Sequence, residues 1–178
     1  YSTLTLACLQ TFDGEIWVAG GTYRTNDFGF RQTSVLPKNG VEIYGGFDGT
    51  EFLREERDPA ANITILAGDL DADDIFYLGN INDNSHHIVR VIGLQDCLFD
   101  GFTFRGGYTQ GSTSQVGAAI RVIAGNVRVR NCRFTENVAK FGASIGTEGV
   151  CNVTVEGCTF ERNEVRYGRG AGVHVGTG

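Results

Sequence analysis

The segment GDLDADD places four carboxylates close together, at Asp69, Asp71, Asp73 and Asp74. Alternating carboxylates in a loop offer the hard oxygen ligands that calcium prefers. The glycine and terminal glutamate of an EF-hand loop are missing. The expectation is therefore a solvated acidic turn, and a structural calcium ion is the alternative. His86 and His87 stand just before an expected strand, Ile88–Val91. Neighbours along a strand face opposite sides, so one is expected inward and one outward, in structural roles. His174 reads as an outward strand residue. Five cysteines occur, Cys8, Cys97, Cys132, Cys151 and Cys158, and none forms a CxxC pair. That spacing argues against zinc and thioredoxin chemistry. Two N-x-T sequons, at Asn62 and Asn152, are acceptors for glycosylation only in a secreting eukaryote.

Sugar chemistry would need more. A glycosidase sets two carboxylates at a defined separation across the bond. The aromatic residues outside the inferred core that could stack on a sugar are Trp17, Tyr23, Tyr44, Tyr77, Tyr108 and Tyr167. Trp17 lies between Ile16 and Val18, so alternation points it outward unless the 20–38 segment covers it.

The elements that position these residues follow from a repeat. VRVRNCRFTEN, Val127 to Asn137, aligns without a gap on VTVEGCTFERN, Val153 to Asn163, at an offset of 26. CLFDGFTFRGG, from Cys97, is an earlier copy 30 residues before the first. Between the copies stand GAAI (117–120), GASI (142–145) and GAGV (170–173). Apolar residues alternate, as in Val127 and Val129, which is strand periodicity. A unit of this length can close one coil of a solenoid, but it buries its inner face only by stacking on another. Stacking predicts a ring column of Phe104, Phe134 and Phe160 and an asparagine ladder of Asn137 and Asn163. Cys132 and Cys158 become stacked thiols, read as free, with a disulfide between them as the alternative. Outward positions should pair as Asp100–Arg130–Glu156 and Glu136–Arg162.

Composition agrees with that architecture. Glycine is 26 of 178 residues and proline 2, about twice the usual glycine share. Glycine accepts the positive φ that sharp corners need. Hydrophobic residues are 41%, enough for a core, which excludes simple disorder. No stretch approaches the ~20 apolar residues of a membrane helix. The net charge of −6 averages −9 over residues 1–89 (14 acids, 5 bases) with +3 over residues 90–178 (7 acids, 10 bases). An acidic chain argues against nucleic-acid binding. The arginine excess of the second half reads as a salt-bridged face, with contact to an anionic glycan as the alternative.

FTEN (134–137) and FERN (160–163) resemble the FxxN element of the polymorphic outer-membrane protein repeat, and GAAI, GASI and GAGV resemble its GGA element. FRGG (104–107) keeps the phenylalanine but has glycine where asparagine is expected. The upstream segments EIWVAGGTY, VEIYGGFDGTE and ERDPAANITILAGDLDADD resemble bacterial surface proteins of the same kind. The resemblance implies a right-handed parallel β-helix of the pectate-lyase-like type, exported and found in surface proteins, and it carries no catalytic residue.

The reading expects an all-β solenoid of about seven coils in one domain, 1–178. Residues 1–14 form a helical cap or an edge strand, and 15–178 form the coils. Strands are expected near 15–19, 41–45, 63–67, 87–92, 97–105, 119–123, 127–134, 144–147, 152–160 and 172–175. Zero methionine and an end in mid-repeat suggest a piece of a longer exported protein. The expected role is a non-enzymatic extracellular or cell-surface module, structural or adhesive, with glycans or surface proteins as partners. A polysaccharide lyase or hydrolase and an end-to-end self-assembling filament are the alternatives. Calcium is the one cofactor considered.

Overall fold

The computed structural model describes residues 4–25, 29–75, 79–93 and 95–176, with Gln95 as backbone only. The chain opens with α1 (Leu4–Gln10) and then winds through successive coils. The first coil holds β1 (Gly14–Ala19) and β2 (Gly21–Arg24). The second holds β3 (Val41–Phe47), β4 (Thr64–Ala67) and β5 (Val89–Ile92). The third holds β6 (Gln95–Asp100), β7 (Phe102–Arg105) and β8 (Ile120–Ile123). The fourth holds β9 (Asn126–Arg130), β10 (Arg133–Thr135), β11 (Val138–Phe141) and β12 (Ile145–Glu148). The last holds β13 (Asn152–Glu156), β14 (Thr159–Glu161), β15 (Glu164–Arg169) and β16 (Val173–Val175).

Every named pairing is parallel and joins one coil to the next. The first face stacks β1-β3-β6-β9-β13, the second β2-β4-β7-β10-β14, and the third β5-β8-β12-β16. Strands β11 and β15 add a two-stranded face on the later coils. The named strands fall into five coils of a solenoid of about six turns, close to the expected seven. Long connections around 25–40, 48–63 and 68–88 use up chain that a regular repeat would spend on coils.

The register is the one the repeat demands. Val127 pairs with Val153 and Val129 with Val155, and Phe134 pairs with both Phe104 and Phe160. The expected long strands 97–105, 127–134 and 152–160 are each broken once. The breaks fall at Gly101, Asn131 and Gly157, with φ of 81°, 51° and 61°. These three positions form one corner column. Only a left-handed residue turns the chain there, and asparagine tolerates it better than most. Strands β2, β11 and β15 were not expected, because they lie in or beside glycine-rich stretches without clean alternation.

The core runs along the inside of the stack. Val41, Ile43, Phe99, Phe104, Val129, Phe134, Ile120 and Ile145 are among the residues sealed from solvent. At the first end Leu4–Gln10 is a helix, not the alternative edge strand. Its Leu4, Ala7 and Cys8 are buried in the main core cluster. At the last coil Val153, Val155 and Cys158 are only partly covered. No helix among the described residues is long and apolar enough to cross a membrane.

Candidate functional site

The acidic loop leaves the second face after β4 and returns to the stack before β5. Its backbone turns through Ala72 and Asn80, both at positive φ (61° and 62°). This folding brings one ligand oxygen from each of Asp69, Asp73 and Asp83 within 4.8 Å of one another. Asp83 was missed in the sequence because it lies ten residues beyond Asp73, outside the GDLDADD run. Asp71 and Asp74 do not join the group. The Asp71 amide donates to Asp83 Oδ2 at 3.1 Å. The Asp74 carboxylate accepts from Asn84 Nδ2 at 2.8 Å, and the same Nδ2 donates to Gly106 O at 2.7 Å.

The electrostatics match this crowding. Burial raises the Asp73 carboxyl above its usual range, and Asp83, Asp69 and Asp71 add to the shift. Burial pushes Asp74 up to about 6, opposed by the Asn84 bond and helped by Asp69 and Asp83. Asp69, Asp73 and Asp83 are thus the described residues that could hold a hard divalent cation, and a cation there would relieve their mutual repulsion. The loop otherwise holds itself together. Amides of Asp73 and Asp74 donate to Asp69, and Asn80 Nδ2 donates to Asp73.

The expected ladders are present. Phe104, Phe134 and Phe160 stack at centroid distances of 4.9 and 5.0 Å with rings within 9° of parallel. Asn137 is fully buried. Its Oδ1 accepts from Gly107 N at 3.0 Å, and its Nδ2 donates to Phe104 O, Thr135 O and Asn163 Oδ1 at 3.0 to 3.1 Å. Asn163 repeats the pattern one coil on, with Nδ2 donating to Phe134 O at 2.9 Å. All five cysteines are free. Cys132 N donates to Cys158 Sγ at 3.4 Å. Burial raises the Cys132 thiol, while the bond from Cys132 lowers Cys158.

The outward charges pair between coils, with one correction. Arg130 Nε lies 2.7 Å from Glu156, and Glu136 lies between Arg105 at 2.8 Å and Arg162 at 3.0 Å. Asp100 is in register with Arg130 but does not extend that column. It is buried and bound instead by Arg57 at 2.7 Å. Arg57 reaches in from the 48–63 excursion and also donates to Gly45 O. Sequence spacing gave no sign of a partner from outside the repeat.

The remaining candidates sort by exposure. Trp17 faces outward, stacked on Phe47 at 4.8 Å, with its Nε1 donating to Glu15 at 2.7 Å. Tyr44 and Tyr108 are buried, Tyr23 is half-buried and Tyr167 is exposed. Tyr77 lies outside the described residues. Asn152 is exposed, whereas Asn62 is half-buried beside the fully buried Thr64 of its sequon. His174 is half-buried and packs on Phe141 at 5.2 Å. The histidine pair departs from expectation, since both are buried. They precede β5 and are not part of a strand, so alternation does not govern them.

Residues 71–178, more than half of the chain, match the family model described as right handed beta helix region. The chain belongs to this family. The match spans the coils whose register was described above and fixes the hand of the winding. No curated protein matches the chain, and no solved structure does. A right-handed β-helix hosts many unrelated roles, so the site, not the fold, has to carry the functional reading.

Proposed function

We propose that this right-handed β-helix is a non-enzymatic extracellular or cell-surface module with a structural or adhesive role. The observation that carries the reading is the use made of the outward charged residues. Glu42, Glu136, Glu148, Glu156 and Glu161 each meet an arginine from another coil. Such pairs fix register and stiffen a stack, though each exposed one contributes only about 0–1 kcal/mol. A hydrolytic pair would instead face a shared cleft across a substrate bond. The motif residues behave likewise. The asparagine of each FxxN element is a ladder rung, buried at Asn137 and half-buried at Asn163, and the first glycine of each GAAI-like element is a corner at positive φ. That usage supports the likeness to the polymorphic outer-membrane protein repeat as a likeness of scaffold.

The test is exposure of the purified chain to a panel of acidic and neutral polysaccharides. Retention on one or more of them without change in their chain length is expected. Cleavage that disappears on Asp-to-Ala change in the 69–83 loop would make the protein an enzyme and end this reading. Electron microscopy across a concentration series addresses the filament alternative: dispersed particles throughout are expected, and long ordered fibres would replace the module with a filament subunit.

A further inference from the structure

A second polar site lies where three connections of the early coils meet beside the third face. It is a cavity of about 150 Å³ lined by His86, His87, Arg90, Ser112 and Arg121, among others. Arg90 on β5 and Arg121 on β8 are register partners on adjacent strands. Like charges set directly opposite in a sheet are unfavourable, so the arrangement needs a counter-charge. Arg121 has one: it holds Glu148 through Nε and Nη2, at 3.1 and 2.8 Å. Arg90 pairs with no carboxylate among the described residues, and its buried Nε has no hydrogen-bond partner there.

The histidines point to the same need. His86 is 6% exposed, and its buried Nε2 is also without a partner. His87 Nδ1 lies 2.9 Å from Gly117 O. A carbonyl only accepts, so this nitrogen carries the proton. His87 Nε2 is then an acceptor, 3.4 Å from Ser112 Oγ. One cavity therefore collects an unpaired guanidinium Nε, an unpaired imidazole nitrogen, a hydroxyl and a second guanidinium. Buried polar atoms without partners are rare and each calls for an explanation.

We propose that this cavity binds one oxyanionic group, a sulfate, phosphate or carboxylate. Arg90 supplies the charge and the Nε–H donor. His86 Nε2 donates to a further oxygen, the Ser112 hydroxyl keeps its one proton on His87 Nε2, and the Arg121–Glu148 pair holds the wall in place. Charge-assisted bonds from arginine to such groups are the strong class of hydrogen bond. The assignment goes beyond the surface-module reading and does not depend on it.

The probes are inorganic phosphate and sulfate at millimolar concentration, with chloride holding ionic strength constant. Binding is read by calorimetry and by the thermal midpoint of the whole chain. Saturable binding to the wild type is expected, weakened at least about tenfold in Arg90→Gln, which loses a charge-assisted bond. His86→Gln should weaken it less. Arg90→Gln leaves the inward Val89 and Val91 untouched and removes the Arg90–Arg121 repulsion, so its unliganded midpoint should equal or exceed that of the wild type. Equal binding by wild type and Arg90→Gln, or a midpoint rise that never saturates, would overturn the proposal, because salts such as sulfate stabilise folded proteins in general. A monosulfated disaccharide and its unsulfated form complete the test. Only the sulfated form should displace phosphate, and displacement by both would also overturn the proposal. Tighter binding than free sulfate assigns the group to a sugar, and equal binding assigns it to the free ion.

Discussion

Replacing Asn137 by alanine should be among the most damaging single changes in the solenoid. The side chain has no exposure and joins two turns of backbone to the next rung of the ladder. Its loss leaves the Gly107 N–H without its acceptor, and Phe104 O and Thr135 O each lose a donor. A buried orphaned donor costs roughly 1–3 kcal/mol, and carbonyls with a second lone pair to spare cost less. The sum is about 3–4 kcal/mol. Asn163→Ala removes the equivalent rung at a half-buried site on the last coil, where water can replace the lost bonds, and should cost about 1–2 kcal/mol. Asn137→Asp separates bonding from volume. It keeps the shape and the acceptor for Gly107, yet turns an oxygen toward Phe104 O, Thr135 O and Asn163 Oδ1. It should therefore be at least as harmful as alanine. Urea unfolding followed by circular dichroism measures all three, with slopes compared because stacked coils can unfold in parts. Hydrogen exchange at the Gly107 amide gives the local readout. A cost below about 1 kcal/mol for Asn137→Ala, or a benign Asn137→Asp, would refute the ladder as a source of stability.

Three further outcomes follow from the same structure. Phe134→Ala empties a sealed site between two stacked rings and should cost about 3–5 kcal/mol, whereas Phe160, 37% exposed with one ring neighbour, should cost roughly half as much or less on thermal melting. Ala124 holds φ 48° in a corner column whose other members, Gly93 and Gly149, are glycine. Ala124→Gly exchanges about 1–2 kcal/mol of left-handed strain for about 0.5–1 kcal/mol of chain entropy, so the melting point should rise slightly, and a fall would contradict the corner assignment. Burial pushes His87 down to about 4, with Arg121, His86 and Arg90 adding to the effect. The folded chain then binds fewer protons than the unfolded one between that value and ~6.5, so this contribution is intact above pH ~6.5 and lost as pH falls toward 4, by at most roughly 3 kcal/mol. Asp74, raised to about 6, acts with the opposite sign, since it favours the fold at low pH and loses that advantage as pH rises through 6. Relative to the wild type, a His87→Gln variant should therefore gain stability as pH falls from ~6.5 toward 4, since it keeps the Asp74 contribution without the His87 loss, and parallel curves in a pH series of melts would contradict the assignment.

What could be read in the sequence was whatever the repeat makes periodic. Val127 on Val153, the phenylalanine column and the asparagine rungs follow from an offset of 26 alone, because parallel stacking turns a sequence period into a contact. The corners were legible only where glycine marks them. Asn131, Glu136 and Arg162 also sit at positive φ, imposed by the coil on residues whose type does not announce it. The break at Asn131 was missed for that reason, whereas those at Gly101 and Gly157 fall on single glycines inside longer runs of strand-like residues. Contacts that cross between a regular coil and an excursion left no trace in any period. Arg57 taking Asp100 from Arg130 is one case, and Asp83 completing the acidic group is another.

That division between periodic and aperiodic chemistry also says where function can sit in such a fold. Where the coils are regular, side chains repeat at the strand spacing and meet their own counterparts. Inward positions then become core, and outward positions become charge pairs that cancel, as along Arg105–Glu136–Arg162. A site needs several different polar groups around one point, and a strict repeat cannot supply that variety. The connections between the second and third faces can. They are long on the early coils and shrink on the later ones, where β11 and β15 take their place. Both polar clusters of this chain, the Asp69–Asp73–Asp83 group and the Arg90–His86 cavity, draw on those early connections. They carry opposite charge and are joined through the chain by the short run Asp83–His86. The regular coils thus provide stiffness, and the chemistry gathers where the repeat lengthens.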